Sequence, residues 1–342
     1  MSLLDVKDLK MHFPIRGGIL AKQIGAVKAV DGVSLKIGKG ETLGVVGESG
    51  CGKSTLGKCV VRLTNPTAGQ VVVNGVDITH MSQSMMRPLR TQFQMMFQDP
   101  AESLNPRMSV GQIITEPLLI QKIGNRISRR ETAMQLLERV GLPASAVDKF
   151  SFEFSGGQRQ RIGIARAIAL QPELLVLDEP VSALDVSVQS QVLNLLLELQ
   201  EEMGIAYMFI AHDLAVVKHI SDRVAVMYLG KIVELADADT IYKAPKHAYT
   251  KALLSAIPVP DPTAKKDRVL LEGDVPSPID PPIGSAFGKR IEHPRYEETV
   301  GMDLSMVEIE PDHWVSADPC CLSDEDYTKA KALLESSQKA YV

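Results

Sequence analysis

The stretch GESGCGKST, from Gly47 to Thr55, constrains the fold of this chain more than any other stretch. It has the pattern G-x-x-x-x-G-K-[ST], follows the apolar run TLGVV and precedes a helical pattern, which is the context of a phosphate-binding loop between a strand and a helix. Glycines let backbone N–H groups surround a phosphate, Lys53 neutralises its outer oxygens, and the Ser54 hydroxyl is suited to Mg²⁺. We therefore expect a nucleotide to bind Gly47, Glu48, Ser49, Gly50, Cys51, Gly52, Lys53, Ser54 and Thr55.

Apolar runs alternate with helical patterns over residues 1 to about 255. The runs TLGVV, LLVLD and AYMFIAH are continuously apolar, as buried strands of a parallel sheet tend to be. Between the last two lies QSQVLNLLLELQEEMG, a helical pattern with Gly204 as its expected C-terminal cap. The stretch VAVMYLGKIVELA predicts a hairpin that turns at Gly230. The alternation predicts an α/β fold.

The middle and the end of the chain differ from this pattern. From Met85 to Val147 the pattern is mostly helical, and we interpret it as a helical insert, in which Ser128 and Glu131 have the spacing of a capping box. Prolines then crowd between residues 258 and 282, which is typical of an extended linker. The remainder is a tail for which we expect a final helix near Tyr327–Lys339.

Charge and hydropathy exclude several classes of function. The 342 residues carry a net charge of −5 and no long basic stripe, so a nucleic-acid partner gains no support. No apolar run is long enough to span a bilayer, and the first ten residues show no signal-peptide core, so we expect a cytosolic protein whose membrane role comes through a partner. Cys51, Cys59, Cys320 and Cys321 form neither a disulfide framework nor paired CxxC motifs, and we expect free thiols.

Two further motifs carry chemistry. LLVLDE is an apolar run ending in two acids, of which Asp178 is placed to support Mg²⁺ and Glu179 to act as general base toward an attacking water. FSGGQRQRIGIARAIAL opens a helical pattern with Ser155, Gly156 and Gly157, and a helix N-terminus binds anions. This second anion site has no lysine and no metal ligand of its own, so it looks like half of a site.

The order of the motifs resembles that of the ATP-binding subunits of ABC transporters. The resemblance covers most of residues 1–255 and rests on Gln98 in MFQDP, then FSGGQ, LLVLDEP, SALD and finally His212 in IAHD. It implies an ABC-type P-loop domain over residues 1–256, with a RecA-like core, an antiparallel β subdomain and a helical subdomain at about 98–170. Residues 257–342 would then form a C-terminal extension.

The resemblance also implies roles for individual residues. Gln98 would sense the metal and the γ-phosphate, and His212 would contact the γ-phosphate and hold the attacking water. Asp185 would act across a dimer interface. The segment Ser155, Gly156, Gly157 and Gln158 would close over ATP held by the opposing subunit.

The expected adenine platform is Phe13, near the end of the first strand, and the alternative is that Phe13 belongs to the core of the β subdomain.

Two stretches narrow the resemblance to the dipeptide, oligopeptide and nickel importer branch. They are the region from FPIRGG to the phosphate loop and the segment YKAPKHAYTKALLSAIPVPDP, followed by GDVPSP and PPIG. In many members the extension continues with cysteines, and some relatives bind an iron–sulfur cluster there. Here Ser285 and Ile291 fall where the first two cysteines would be, and adjacent Cys320 and Cys321 cannot supply four ligands, so we predict no cluster.

The expected function is an ATP-hydrolysing subunit that powers an importer, with di- or oligopeptides as the cargo. Its expected partners are a homologous ATP-binding subunit in a head-to-tail homo- or heterodimer, two transmembrane permease subunits and, indirectly, a substrate-binding protein, at the cytoplasmic face of the membrane. Three alternatives stay open at this point: a soluble ABC ATPase of DNA repair or translation, an importer subunit for nickel, opines or sugars, and a non-catalytic partner subunit.

Overall fold

A computed structural model describes residues 2–17, 22–98, 104–257, 273 and 275–339. The predicted proline-rich linker lies mostly outside these ranges. The strands are β1 (Ser2–Gly17), β2 (Lys22–Gly38), β3 (Thr42–Val46), β4 (Ala68–Val73), β5 (Val76–Asp77), β6 (Phe93–Met96), β7 (Leu174–Asp178), β8 (Ala206–Ala211), β9 (Arg223–Tyr228), β10 (Lys231–Asp237), β11 (Met306–Glu310) and β12 (His313–Ser316).

The α-helices are α1 (Lys53–Val60), α2 (Gln83–Leu89), α3 (Val110–Ile120), α4 (Arg126–Arg139), α5 (Gly156–Ile168), α6 (Val186–Met203), α7 (Leu214–Ile220), α8 (Ala238–Lys243), α9 (Ala248–Ser255), α10 (Ala286–Arg290) and α11 (Asp324–Lys339). Within the described ranges, none of them combines the length and the apolar character needed to cross a membrane.

An eight-stranded sheet forms the centre of the molecule, in the order β11-β12-β10-β9-β3-β8-β7-β6. The strands from β9 to β6 are parallel, while β10, β12 and β11 pair in antiparallel fashion at one edge. Strands β3, β7 and β8 are buried along their whole length, as their apolar sequences predict. The predicted hairpin is confirmed, since β9 and β10 pair around a turn with Gly230 at a φ of 79°.

A second sheet is antiparallel, in the order β2-β1-β4-β5. Its long hairpin pairs β1 with β2 from Ser2↔Gly38 to Gly17↔Lys22. Apolar residues of β1, among them Leu4, Val6 and Leu9, enter a core shared with α1 and one face of the large sheet. This sheet is the expected antiparallel β subdomain.

Helices α3, α4 and α5 form a layer that packs on α6 and the other face of the large sheet. Two expectations for this region are corrected. The helix at NRISRR begins at Arg126 with Asn125 as its N-cap, and Ser128 is the third helical residue that completes the box, so Ser128 and Glu131 are not the capping pair. Residues Phe93–Met96 form strand β6 at the sheet edge, because their backbone pairs in parallel with Leu174–Leu177 of β7 instead of continuing the helical pattern.

The C-terminal segment adds structure to the central sheet. Strand β12 pairs with β10 through Glu234↔Val315 and Leu235↔Trp314, and β11 pairs outside it. The predicted final helix is present as α11, which begins three residues earlier than expected, at Asp324. Strands from both sides of the predicted boundary at residues 256 and 257 therefore belong to one sheet.

Candidate functional site

The predicted site residues lie at one edge of the parallel sheet. The loop Gly47–Thr55 follows β3, His212 follows β8, Asp178 ends β7 with Glu179 after it, and Gln98 lies two residues beyond β6. Because the carboxyl ends of neighbouring parallel strands meet at the same edge, these segments converge although they are far apart in sequence. Ligands of open α/β sheets bind in the crevice at that edge.

The phosphate-binding loop is held by hydrogen bonds from its own lysine. Lys53 is 5% exposed, and its Nζ donates to the carbonyl oxygens of Gly47 at 2.7 Å and Glu48 at 3.0 Å. Gly52 is the N-cap of α1 with a φ of 107°, and a Cβ at Gly52 would lie 1.9 Å from the Ala29 carbonyl oxygen. Only glycine fits this position, so the loop can bring its backbone N–H groups to the N-terminus of α1, where an anion is stabilised.

The loop and β7 together offer oxygen ligands for a metal ion. The Ser54 Oγ donates to the Asp178 Oδ1 at 2.8 Å. Burial raises the pKa of Asp178 above its ordinary value, and the hydrogen bond from Ser54 opposes that rise. A hydroxyl and a carboxylate are hard oxygen ligands of the kind that Mg²⁺ takes alongside nucleotide phosphates, so these two side chains fit a magnesium ion.

Glu179 is the point where three sequence-predicted residues meet. The Gln98 Nε2 donates to its Oε2 at 2.8 Å, and the His212 Nδ1 lies 3.4 Å from the same oxygen. Glu179 has a φ of 47°, in the left-handed region, and its N–H donates to the Ile210 carbonyl oxygen at 2.9 Å. This uncommon conformation holds the carboxylate toward the other two side chains, and such conformations concentrate at functional sites.

The second predicted anion site is a helix N-terminus open to solvent. Ser155 is the N-cap of α5, its Oγ accepts from the Gln158 N–H at 3.4 Å, and the Gln158 Oε1 accepts from the Ser155 N–H at 3.0 Å. Ser155, Gly156 and Gln158 are exposed. Within the described ranges, no hydrogen bond joins these residues to the Gly47–Thr55 loop, so the chain does not complete this half-site from its own loop.

Helix α5 is held to the rest of the site by contacts that the sequence did not reveal. A Cβ at Gly157 would lie 2.4 Å from Val188 Cγ1 of α6, so this glycine is needed for helix packing as well as for access. Gln160 is 2% exposed, and its Nε2 donates to the Pro180 carbonyl oxygen, next to Glu179. The polar stretch QRQR suggests helix surface and interface, and this expectation is wrong for Gln160, since its buried amide satisfies a carbonyl.

Asp185 and Phe13 have local surroundings that bear on their predicted roles. Asp185 is the N-cap of α6, and hydrogen bonds from the Ser187 hydroxyl at 2.7 Å and the Val188 N–H at 2.9 Å hold its pKa below the usual range. Phe13 is 40% exposed on β1, which argues against the alternative that it belongs to the core. Its role as an adenine platform stays a prediction.

Residues from the C-terminal third of the chain also contact the phosphate loop, and the sequence did not predict these contacts. The Glu48 N–H donates to the Tyr249 Oη at 2.9 Å, and the Glu48 carboxylate pairs with Arg290 through contacts of 2.6 Å and 3.1 Å. The ring of Phe287, on α10 with Arg290, packs 5.6 Å from Tyr228 and 5.4 Å from Tyr249. No local sequence pattern connects these segments, because their partners are about 200 or more residues away.

Comparison with known proteins gives two family matches. Residues 30–182 match a family described as ABC transporter, and residues 233–294 match one described as the oligopeptide/dipeptide transporter C-terminal region. The second match includes Tyr249, Phe287 and Arg290.

Individual proteins agree with these matches. The chain is 53% identical to the oligopeptide transport ATP-binding protein AppF of Bacillus subtilis, over 84% of this chain and 89% of that protein. It is 52% identical to the probable peptide ABC transporter ATP-binding protein y4tS of Sinorhizobium fredii, over 91% and 86% of the two chains. A similar solved structure is the dimeric post-hydrolysis state of the ATP-binding cassette MJ0796 bound to ADP and Pi, with a TM-score of 0.61, 26% identity, and coverage of 69% of this chain and 98% of the other.

Proposed function

This chain belongs to the ABC transporter family, among the oligopeptide and dipeptide transport ATP-binding proteins, and on that premise we propose that it is the ATP-hydrolysing subunit of a peptide importer. The observation that carries the proposal is the convergence of Gln98 and His212 on the Glu179 carboxylate beside a complete phosphate-binding loop. The match to the oligopeptide and dipeptide C-terminal region supports peptides over nickel, opines or sugars as the cargo.

The site residues divide the work of hydrolysis. The loop N–H groups and Lys53 bind the phosphates of ATP, and Ser54 and Asp178 would hold Mg²⁺, which neutralises phosphate charge when bound. Glu179 accepts the proton of the attacking water as the water oxygen bonds to the γ-phosphorus and ADP leaves. Gln98 and His212 orient the Glu179 carboxylate and the water. The amide of Gln98 adds no charge to the site.

The exposed N-terminus of α5 supports assembly as a pair. Its Ser155 hydroxyl and the N–H groups of Gly156 and Gly157 at the helix start suit a γ-phosphate, yet no lysine or metal ligand accompanies them. Two ABC cassettes in head-to-tail contact would complete each other's sites, with Asp185 at the interface, and the similar solved structure is a dimer bound to ADP and Pi. The pairing partner is a second copy or a homologous subunit.

An apolar surface near Gln98 supports docking of a transmembrane subunit. Phe97, Leu63 and Ile120 line one groove and are 42%, 48% and 53% exposed. Exposed apolar residues that cluster in a groove mark protein contacts. A permease bound there would touch the residue next to Gln98, and the chain would lie on the cytoplasmic face of the membrane without crossing it.

The test is the Glu179→Gln variant, expressed together with the transmembrane subunits. Without the base, ATP turnover should fall about 10²- to 10⁴-fold while ATP binding is retained. The matched control is Glu173→Gln at the other end of β7, where the carboxylate contacts Asn74 and Lys39 and turnover should be kept. Near-normal hydrolysis in Glu179→Gln would refute the assigned base, and failure of the chain to co-purify with the transmembrane subunits would refute the importer function.

A further inference from the structure

A cluster of potential metal ligands is buried where the start of α9 meets the segment that follows β12. One ligand atom from each of His247, Asp318 and Cys321 lies within 4.8 Å of the other two. The three residues are 1%, 4% and 3% exposed. They come from the start of α9 and from the turn after β12, so the cluster joins the cassette to the extension.

Three groups donate hydrogen bonds to the Asp318 carboxylate. The Ser285 Oγ donates to Asp318 Oδ2 at 2.5 Å, the Cys321 Sγ donates to the same oxygen at 3.2 Å, and the Cys320 N–H donates to Oδ1 at 2.9 Å. Ser285 also lies 3.8 Å from the Cys321 Sγ. Oxygen, nitrogen and sulfur atoms are therefore gathered around one point inside the protein.

The chemistry of these ligands selects a borderline-soft divalent ion. Imidazole, thiolate and carboxylate are the three ligand types that Zn²⁺ takes in proteins, at distances that put ligand atoms roughly 3.5 Å apart. The Cys321 Sγ and Asp318 Oδ2 lie 3.2 Å apart, and all three ligand atoms lie within 4.8 Å of one another. One thiolate, one carboxylate and one neutral imidazole also balance the two charges of the ion, which a buried site requires.

We propose that His247, Asp318 and Cys321 bind one zinc-class divalent ion, with the Ser285 hydroxyl or a water molecule as the fourth ligand. The ion fixes the turn after β12 to the start of α9. Ser285 is the N-cap of α10, so the ion also fixes the helix that carries Arg290. The site is structural, and it is a mononuclear site that needs only one thiolate.

The experiment measures metal in the full chain as purified, by elemental analysis, and then titrates the metal-stripped chain with Co²⁺. We expect about one zinc per chain and, with Co²⁺, the visible absorption of a tetrahedral ion with a thiolate charge-transfer band. Cys321→Ser and His247→Gln should each weaken binding at least about tenfold. Matched controls are Cys59→Ala, another buried free thiol, and His219→Gln, an exposed histidine, and both should bind metal like the unchanged chain.

The melting temperature of the unchanged chain gives a second test, which does not require any variant to fold. Removing the metal from the unchanged chain should lower the melting temperature, and adding Zn²⁺ back should restore it. The proposal is overturned if the stripped chain gives no thiolate-to-cobalt band, if Cys59→Ala loses the metal as Cys321→Ser does, or if the purified chain carries iron with acid-labile sulfide.

Discussion

Replacing Arg290 with methionine should weaken both the fold and the binding of ATP, although Arg290 lies in the extension. The guanidinium holds Glu48 of the phosphate loop through two contacts of 2.6 Å and 3.1 Å. Methionine keeps much of the apolar stem and removes the charge. The Glu48 carboxylate then stays in the loop without its counterion.

The size of the effect follows from burial. Arg290 and Glu48 have side chains that are 6% and 27% exposed. Breaking a fully buried pair costs about 3–5 kcal/mol, whereas an exposed pair contributes about 0.2–1 kcal/mol. Because part of Glu48 stays in water, we expect a coupling free energy of about 2 kcal/mol, between these limits.

The effect on ATP has a separate cause. An uncompensated carboxylate in the phosphate loop repels the triphosphate by on the order of 1 kcal/mol, which corresponds to a roughly fivefold weaker affinity. Removing that carboxylate with Glu48→Gln in the Arg290→Met background should therefore restore the affinity. A purely structural role of Arg290 would not produce this rescue.

The assay is a double-mutant cycle on urea unfolding, joined with ATP titrations of the same four proteins. The control cycle uses Lys243 and Asp239, an i,i+4 pair whose side chains are 72% and 65% exposed, for which we expect a much smaller coupling. A coupling no larger than that of the control pair would refute the argument. So would a double variant that binds ATP as weakly as Arg290→Met alone.

Two further predictions concern helix packing and pH. Gly157→Ala should destabilise the chain by about 1–3 kcal/mol because its Cβ would lie 2.4 Å from Val188 Cγ1. Gly156→Ala, whose Cβ would have its nearest contact at 3.8 Å, should cost little stability. Equal melting temperatures of the two variants would contradict this prediction. Burial alone would raise the pKa of Glu234, but hydrogen bonds, chiefly from His313, hold this pKa below its ordinary 4.5. The ionised carboxylate therefore stabilises the fold above about pH 4.5, and that stability is lost as the pH falls. Glu234→Gln should flatten the loss of melting temperature between about pH 6 and pH 3, and an unchanged slope would contradict the assignment.

Local patterns predicted the parts of the fold that depend on neighbouring residues. The strands LLVLD and AYMFIAH, the C-cap at Gly204 and the hairpin at Gly230 are confirmed, because each is set by a short apolar run or a turn. Strand β6 was missed because four residues, of which three are apolar, give no periodic signal inside a helical region. Strands β11 and β12 were also missed, although VEIE alternates buried and exposed residues before a turn.

In the site, too, features set by neighbouring residues could be predicted and contacts between distant residues could not. The loop Gly47–Thr55 and the acids at the end of β7 could be found from motif and context, and the predicted helix N-terminus at Ser155 is confirmed. The contacts of Arg290 with Glu48 could not be found, because 242 residues separate them and the packing of Phe287 of α10 on Tyr228 and Tyr249 brings them together. Propensity and periodicity describe single elements, whereas this contact depends on how several elements pack.

The buried contact of Gln160 with Pro180 connects the two halves of the proposed mechanism. The N-terminus of α5 is exposed where a partner's γ-phosphate would bind, while the body of α5 donates a hydrogen bond to the residue after Glu179. Because protein interiors are close-packed, a helix drawn toward a phosphate moves the groups it contacts instead of sliding past them. If a partner's nucleotide engages Ser155 as we propose, the Gln160 contact is a direct physical link from that phosphate to the segment that carries Glu179 in the same chain.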